Sequence, residues 1–449
     1  MPKMTRTDFL KITGLTTAGL LGFSNRLPAK RSTRKKSISI IGAGLSGVYA
    51  AYLLSQKGFP VTLIEAQKEV GGRIKSISSP GFPGFSELGG EFIYSYHTTL
   101  LSLVEQFKLT LERFELQEQL YFPKKSQKLR LSPHSREILQ RLLFLKDKMS
   151  RKQKLGLDKL NLYNYLKYQG VSQGDLFLLD LKYSQRFGES IRNVSANYGI
   201  AVFDFESIAS PLYRIQEGNQ SLLEKLLQAS PKVKRILGDP VKTIRQESRR
   251  VVLGLASGRK IQSSYCICTI PTTVLDKIDW QPGLPKDKTL SALQLRYGRI
   301  SKSAIFASNV QKRSVSPLFF YTDAPQGSYF LPKTSSQEKA LLTTSFAEGN
   351  SQLFYRTNTA KQRKLIEVAI KTFAIFKTIK IDKIISLAWQ YEPYILGARS
   401  VLSPGTFGVL DSFRSPHRRV FFAGEHLGDE MGTMNSALVS AQKVVAKIS

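Results

Sequence analysis

A glycine-rich turn lies near the start of the chain, directly after a short apolar run. Gly42, Gly44 and Gly47 have the G-x-G-x-x-G spacing. Glu65 follows about 20 residues later, the usual distance for the acidic residue of a dinucleotide site. The glycines allow a tight turn, a close approach to a pyrophosphate and close packing of helix on strand. Glu65 would bind ribose hydroxyls and repel a 2′-phosphate. The spacing therefore predicts a dinucleotide site and disfavours NADP.

The elements that must position this turn can be predicted from the apolar pattern. Residues 37–41 and 61–65 are short apolar runs typical of strands, and residues 46–57 have apolar positions at helical spacing. Gly58 would end that helix. A helix that begins at the turn presents unpaired N–H groups to phosphate oxygens. This strand–turn–helix–strand order makes the glycine spacing specific, because an isolated G-x-G-x-x-G is a weak signal.

Further motifs extend over about residues 38–448. They are AQKEVGGRI at 66–74, ELGGEFI at 87–93, QEGNQSL at 216–222, DPVKTI at 239–244, CICTIPTTVL at 266–275, VFFAGEH at 420–426 and GTMNSAL at 432–438. In their residues and in their order, these motifs resemble the flavin-containing amine oxidase family, which includes monoamine, polyamine and L-amino-acid oxidases. The resemblance implies that the dinucleotide is FAD.

The resemblance also implies an α/β fold with two discontinuous domains. A Rossmann-like FAD-binding domain would lie beside a mixed-sheet substrate domain with a helical insertion. The stretch 98–190 is rich in Leu, Lys, Gln and Glu and has few glycines, as expected for that insertion. The predicted boundaries are a leader at 1–36, the FAD-binding domain at 37–95, 214–290 and 396–449, and the substrate domain at 96–213 and 291–395.

The family motifs and the glycine turn together assign a set of cofactor-binding residues. Arg73 offers a fork of donors for a phosphate or a flavin carbonyl, and Glu425 would accept from ribityl or ribose hydroxyls. The last helix would direct its N-terminus at the flavin and stabilise the reduced anion. The assigned residues are Gly42, Gly44, Leu45, Ser46, Gly47, Glu65, Ala66, Gly72, Arg73, Gly89, Gly90, Glu91, Phe92, Val241, Trp389, Gly424, Glu425, Thr433 and Met434.

The mode of FAD attachment is predicted from one short segment. Family members often bind FAD covalently through a cysteine shortly before the last part of the substrate site. Residues 396–399 read LGAR and include no cysteine. The resemblance therefore implies noncovalent FAD.

The catalytic prediction rests on Lys302 in the segment YGRISKSAI, residues 297–305. In the family this lysine holds a water against flavin N5, and an ammonium there stabilises negative charge during reaction with O₂. The resemblance implies oxidation of an amine or amino acid by hydride transfer to N5, with reoxidation by O₂ to give H₂O₂. Two alternatives remain open: a desaturase-like or porphyrinogen-oxidase-like enzyme acting on a lipidic substrate, and a flavin-binding protein without turnover.

Two positions of the predicted substrate site depart from the monoamine-oxidase branch. Arg399 and Thr433 match positions where that branch has an aromatic cage for the amine. The carboxylate-binding arginine of the L-amino-acid oxidase branch is also absent from segment 89–92. A guanidinium repels a cationic amine and offers paired donors to a carboxylate. The sequence therefore predicts a carboxylate-bearing or otherwise anionic amine as substrate, unless Arg399 faces solvent.

Composition narrows the possible partners. The 66 Lys and Arg exceed the 34 Asp and Glu, giving a formal net charge of +32. No zinc-finger, RNP-like or basic-zipper pattern accompanies this charge, so we predict no nucleic-acid partner. A solvated basic surface or contact with an anionic membrane accounts for this positive charge.

The numbers of cysteines and histidines argue against a zinc site. The chain has two cysteines, Cys266 and Cys268, and four histidines, so no metal is predicted. The oligomeric state stays open.

The first 36 residues are typical of a targeting segment. Residues 5–11 read TRTDFLK and resemble the twin-arginine export signal, except that Thr7 stands in place of the second arginine. We predict export to the periplasm through this degenerate signal. The alternative is an uncleaved leader on a protein that stays cytoplasmic or at the membrane.

Overall fold

The computed structural model describes residues 35–114, 117–122, 127–206, 212–310, 318–323, 326–331, 339–371 and 377–449. Residues 36–449 form one compact unit. The predicted leader lies outside the described residues, apart from its last two positions. Within the described ranges, no helix is both long enough and apolar enough to cross a membrane.

The chain contains both helices and strands, with five consecutive helices from α3 to α7. The helices are α1 (Leu45–Gln56), α2 (Thr98–Gln106), α3 (Pro133–Lys146), α4 (Arg151–Asp158), α5 (Leu162–Tyr168), α6 (Gln173–Phe187), α7 (Ala196–Glu206), α8 (Gln220–Gln228), α9 (Lys286–Gln294), α10 (Glu348–Arg356), α11 (Thr359–Lys371), α12 (Asp411–Arg414) and α13 (Met434–Ile448). The strands are β1 (Ile38–Ile41), β2 (Val61–Ile64), β3 (Ser76–Ile77), β4 (Ser86–Glu87), β5 (Ile93–Tyr94), β6 (Leu111–Phe114), β7 (Gln117–Phe122), β8 (Gln127–Leu129), β9 (Leu212–Ile215), β10 (Lys234–Ile236), β11 (Val241–Gln246), β12 (Val251–Leu255), β13 (Lys260–Ser263), β14 (Tyr265–Cys268), β15 (Asp279–Gln281), β16 (Arg296–Tyr297), β17 (Ile300–Ser308), β18 (Leu318–Asp323), β19 (Gln326–Leu331), β20 (Ala340–Ala347), β21 (Lys380–Ala388), β22 (Ser400–Val401) and β23 (Val420–Phe422).

A five-stranded parallel sheet contains the predicted glycine turn. Its order is β10-β2-β1-β14-β23, and every neighbouring pair is parallel. All four residues of β1 are buried, as expected for a central parallel strand covered on both faces. Strands β1 and β2 are each one residue shorter than predicted, and α1 occupies 45–56 instead of 46–57. The predicted α/β fold is confirmed.

A seven-stranded mixed sheet provides the opposite side of the molecule's main cavity. Its order is β21-β17-β20-β19-β18-β7-β8. Only β18 and β7 are parallel neighbours; the other pairs are antiparallel. Strand β20 is buried along its whole length, and β17 and β19 pair with its two edges. In this sheet Lys302 of β17 lies opposite Ser345 of β20.

The stretch predicted as a helical insertion is only partly helical. Helices α2 to α6 lie within it, but β6, β7 and β8 also fall between residues 98 and 190. A low glycine content does not distinguish helix from strand, and the aromatic residues of β7 favour a strand once β18 pairs with it.

The strands of the parallel sheet fall within the predicted FAD-binding segments, and those of the mixed sheet within the predicted substrate segments. The division into two domains stays a prediction.

Candidate active site

The main cavity lies at the carboxyl ends of the parallel strands, where ligands of open α/β sheets bind. Ile41 ends β1, Ile64 ends β2 and Gly424 follows β23, and all three line this cavity. It extends to Lys302 of β17 and Thr344 of β20 in the mixed sheet. Of the residues predicted for cofactor, catalysis or substrate, every one except Gly47 lines this single cavity.

Gly47 lies beneath the glycine turn instead of on the cavity surface. A Cβ atom at this position would lie 2.0 Å from the carbonyl oxygen of Gly42, so only glycine lets α1 approach the turn this closely. Gly42 itself has a positive φ of 99°, which glycine adopts without strain. No side chain in the described part of the chain caps the start of α1, and Leu45 and Ser46 line the cavity. The helix start therefore presents backbone N–H groups to an anion.

Glu65 is a buried carboxylate at the end of β2. Its Oε2 accepts from the backbone N–H of Ala43 at 2.6 Å, and its Oε1 accepts from that of Gln67 at 2.9 Å. Burial raises the pKa of Glu65 above its ordinary value, and these backbone hydrogen bonds partly offset that rise. The two N–H groups orient the carboxylate, whose remaining lone pairs can accept from hydroxyls.

Glu425 is the centre of a buried hydrogen-bond network. Arg73 Nη1 donates to its Oε1 at 2.7 Å, and Ser400 N donates to the same oxygen at 3.3 Å. Ser400 Oγ and Gly432 N donate to its Oε2 at 2.6 and 2.7 Å. Burial alone would raise the pKa of Glu425, but the Arg73 guanidinium, His426 and the hydrogen bond from Ser400 together outweigh it and hold the pKa below its ordinary value. A carboxylate has about four acceptor sites, so these four donors use them. Direct contact of Glu425 with a hydroxyl of the cofactor stays a prediction.

The histidine next to Glu425 is buried as well. Its Nδ1 lies 3.5 Å from the hydroxyl of Tyr297. Burial lowers the pKa of His426 from 6.5 to about 4, although the Glu425 carboxylate opposes this shift. His426 is therefore neutral in the folded protein at neutral pH.

We expect His426 to make the fold less stable as pH falls from about 6.5 to about 4. In this window the unfolded chain binds a proton that the folded chain does not, so protonation favours unfolding. A difference of 2.5 pKa units corresponds to about 3 kcal/mol in the free energy of unfolding. Urea unfolding of the native protein and of His426→Gln, from pH 4 to pH 8, measures this. The variant should show the shallower pH dependence, and parallel curves would contradict the assignment.

Gly89 and Gly90 form a flat surface between the two sheets. A Cβ at Gly89 would lie 2.1 Å from the carbonyl oxygen of Arg73, and one at Gly90 would lie 3.1 Å from Cγ of Met434. Met434 begins α13, whose N-cap is Thr433; the Thr433 Oγ1 accepts from Ser436 N at 3.0 Å. The first turn of α13 contains no acidic residue. This geometry sets a positive helix end beside two residues without side chains, where a planar ring can approach the backbone closely.

Lys302 extends from the mixed sheet to this surface. Its Nζ donates to the carbonyl oxygens of Glu87 and Gly89 at 3.2 and 3.0 Å, and to Oε2 of Glu91 at 2.8 Å. An ammonium has three N–H donors, so these partners use all three. Arg214 Nη1 lies 3.6 Å from Oε1 of Glu91, which places that carboxylate between two cations. The role of Lys302 in holding a water stays a prediction, and it requires one of these N–H groups to be shared.

Segment 86–91, which contains the glycine surface, is attached at two further points, one directly after strand β21 and one in strand β20 of the mixed sheet. Trp389 is buried and its Nε1 donates to the carbonyl oxygen of Leu88 at 2.7 Å. The hydroxyls of Ser86 and Thr343 lie 2.7 Å apart and are hydrogen-bonded. Trp389 thus contributes to the cavity wall and also fixes the segment behind it.

Arg399 faces the cavity instead of solvent. Its Nη2 donates to the carbonyl oxygen of Met431 at 3.0 Å, and its Nη1 donates to that of Arg186 at 3.4 Å. The guanidinium lies beside Thr433, which lines the same cavity. Arg399 and Thr433, the two positions that match the aromatic cage of the monoamine-oxidase branch, are therefore neighbours on the cavity wall.

Several residues of the cavity were not identified from the sequence. Thr343, Thr344 and Ser345 are consecutive hydroxyl residues of the fully buried strand β20. Three polar residues in a row within an otherwise apolar strand are a signal that could have indicated a lined cavity. Tyr94 and His97 also line it, but they follow no pattern that would have distinguished them. Across the described ranges, no group of three or more His, Cys, Asp or Glu residues is placed to hold a metal ion.

The site fits FAD on the chain's own features. The open start of α1 and the oriented carboxylate of Glu65 suit the pyrophosphate and a ribose. Gly89 and Gly90 line the cavity beside α13 without side chains, and because a Cβ at either position would collide with Arg73 or Met434, this backbone stays bare and suits a flat ring. This fold and this cavity define an FAD-dependent oxidoreductase. The family model for flavin containing amine oxidoreductases matches residues 45–449, and the chain belongs to that family.

Relatives and solved structures agree with this placement. The chain is 21% identical over 462 residues to an L-amino-acid oxidase of Bungarus fasciatus, covering 92% of this chain and 86% of the relative. It is 24% identical over 447 residues to lysine-specific histone demethylase 1 homolog 1 of Arabidopsis thaliana, covering 92% of this chain and 52% of that protein. The structure of cyclohexylamine oxidase from Brevibacterium oxydans IH-35A has a TM-score of 0.79 at 19% identity, over 92% of this chain and 98% of that one. This structural likeness shows the fold alone.

Proposed function

We propose that the protein oxidises an amine or amino acid to the imine and passes the electrons to O₂, with H₂O₂ as the product. The observation that carries this proposal is the Lys302 ammonium, held against the glycine surface by two carbonyls and Glu91. An oxidase needs a fixed positive charge where negative charge develops. Relatives named as L-amino-acid oxidases support the same class of reaction.

Each group of residues in the cavity would have a separate role. FAD, when bound, accepts a hydride equivalent from the carbon that carries the amine and later gives its electrons to O₂. The start of α1 and Glu65 would bind the nucleotide end. The start of α13 would stabilise negative charge on the flavin ring, and Trp389 would line the part of the cavity that holds this ring. Lys302 would supply the charge needed in the step with O₂.

Anaerobic mixing with a panel of amines and L-amino acids tests the proposal. The yellow colour of the purified holoprotein should bleach with at least one member of the panel and return on admission of air, with H₂O₂ formed. Lack of bleaching by every amine and amino acid would contradict amine oxidation and favour a lipidic substrate or a flavin-binding role.

The cofactor is proposed to be noncovalent, because no cysteine occurs in segment 396–399. Acid denaturation should therefore release the yellow chromophore into the supernatant. The measurement is the flavin absorbance of supernatant and pellet after precipitation. Chromophore that remains with the polypeptide would show a covalent bond.

Arg399 is proposed to bind a carboxylate of the substrate. We expect Arg399→Ala to raise the KM for the best carboxylate-bearing substrate of the panel by about tenfold or more, the effect of losing a charge-assisted contact of ~1.5–3 kcal/mol. Steady-state kinetics measures this, with Arg399→Lys as the variant that keeps the charge but not the paired donors. Efficient turnover of benzylamine by the native enzyme, or an unchanged KM in Arg399→Ala, would be the contrary result.

A further inference from the structure

A second cavity adjoins the main one. It lies between helices α4 and α7 on one side and the segments 402–414 and 428–433 on the other. Tyr198 and Ala201 of α7 and Leu410 line it. It shares two residues with the main cavity, Arg399 and Thr433. The cofactor and chemistry assigned so far use only the main cavity.

The Arg399 guanidinium stands at the junction of the two cavities. One of its nitrogens donates to Arg186, which lines the main cavity, and another donates to Met431, which lines the second. A molecule that moved from the second cavity to the first would contact this guanidinium, because Arg399 and Thr433 are the lining residues that the two cavities share. A carboxylate would meet paired N–H donors there.

Two further cations lie on the other side of the second cavity. Arg151 and Lys154 of α4 both line it. Neither side chain forms a hydrogen bond or an ion pair with any part of the chain that the structure describes. Their charges are therefore not neutralised by a neighbour and act on whatever enters the cavity.

Two of the three acidic residues of the same cavity are paired with cations. Asp411 is 2.7 Å from Arg414, and Asp429 is 2.8 Å from Lys443. The third, Glu430, accepts from Nδ2 of Asn435 at 3.2 Å. The four cations that line the cavity, Arg151, Lys154, Arg399 and Arg414, outnumber these three anions, so the formal charge of its lining is positive.

We propose that the second cavity is the vestibule through which an anionic, carboxylate-bearing amine reaches the main cavity, with Arg151 and Lys154 attracting it and Arg399 receiving its carboxylate. The assignment of the substrate as an amine rests on the proposed function. Uncompensated charges of one sign along a cleft raise the rate of association of an oppositely charged ligand, and this effect weakens with salt. Such charges change the association rate more than the dissociation rate.

Glutarate is the probe for the test, because it has two carboxylates and no amine to oxidise. Its binding to the holoprotein is followed by the change in flavin absorbance after rapid mixing at several salt concentrations. We expect Arg151→Gln/Lys154→Gln to slow association about tenfold at low salt and to flatten the salt dependence, with an unchanged dissociation rate. The matched control is Lys152→Gln: Lys152 is exposed on the same helix and lines neither cavity.

Neutral glutaramide separates charge from access, because its rate should be the same in all three proteins. A second variant, Ala201→Trp, narrows the vestibule and should slow both probes while FAD is retained. The proposal is overturned if glutarate does not bind, if Lys152→Gln slows it as much as the double variant does, or if Ala201→Trp leaves its rate unchanged. Salt-dependent glutarate entry without bleaching by any amine would overturn the proposed oxidation but keep the vestibule.

Discussion

Replacing Lys302 with Met is expected to slow the reaction of the reduced enzyme with O₂ on the order of 100-fold, the usual effect of removing one preorganised charge or donor. Reduction by the amine should change far less, because no side-chain charge is needed once the amine is neutral. Rapid mixing measures the two half-reactions separately. An unchanged rate with O₂ would end the assignment of Lys302 as the catalytic cation.

The same substitution should also reduce stability. Lys302 and Glu91 have side chains that are 14% and 8% exposed and form a buried pair. Removing one partner of such a pair costs about 3 kcal/mol, here near the lower end because Arg214 still faces Glu91. Lys302→Met/Glu91→Gln should recover much of the free energy of unfolding in urea without recovering the rate with O₂. Recovery of both would show that the kinetic defect was only structural.

Replacing Glu425 with Gln is expected to have the largest effect on stability. The substitution leaves Arg73 without its ion-pair partner in a buried site and turns one of the two acceptor oxygens into an NH2 group, which faces two donors of the network. We expect a loss of about 3–5 kcal/mol in the free energy of unfolding and faster dissociation of FAD. Ser400→Ala is the matched control, because it removes one charge-assisted hydrogen bond of about 1.5–3 kcal/mol and keeps the ion pair.

The pH dependence of the free energy of unfolding distinguishes the charged network around Glu425 from packing contacts alone. Because the pKa of Glu425 is lower in the folded protein than its ordinary value of 4.5, its contribution is complete above that value and is lost as pH falls below it. The native protein should therefore lose stability in acid more steeply than Glu425→Gln. Equal slopes below pH 4.5, or a loss under 1 kcal/mol in the variant, would contradict this role.

Local patterns predicted the nucleotide end of the site well. The glycine spacing, the helix that follows it and Glu65 lie within about 30 consecutive residues, and local spacing determines how such a unit folds. In the structure the helix begins and ends one residue earlier than predicted, and each of the two strands is one residue shorter. The resemblance extended the prediction to residues far apart in the sequence, which the structure brings to one cavity wall.

Contacts between distant residues could not be predicted. Lys302 and Glu91 are 211 positions apart, and nothing in either motif indicates that each one neutralises the other. The donors to Glu425 come from three separate segments. The motif VFFAGEH, which contains Glu425, therefore could not predict that all acceptor sites of this carboxylate are used. Strands β6 and β7 within residues 98–190 were missed because their pairing partners, β9 and β18, lie about 100 and about 200 residues further along.

The attachment of segment 86–91 has a mechanical consequence. Lys302 and Thr343 of the mixed sheet, and Trp389 directly after its strand β21, bind it at the carbonyls of Glu87, Leu88 and Gly89 and at the hydroxyl of Ser86. On its other side, Leu88 N donates to the carbonyl oxygen of Lys75 and Gly90 N donates to that of Arg73. The segment therefore couples the chain that follows the glycine turn to the mixed sheet, and a displacement of one layer against the other would have to break hydrogen bonds on one of its two sides.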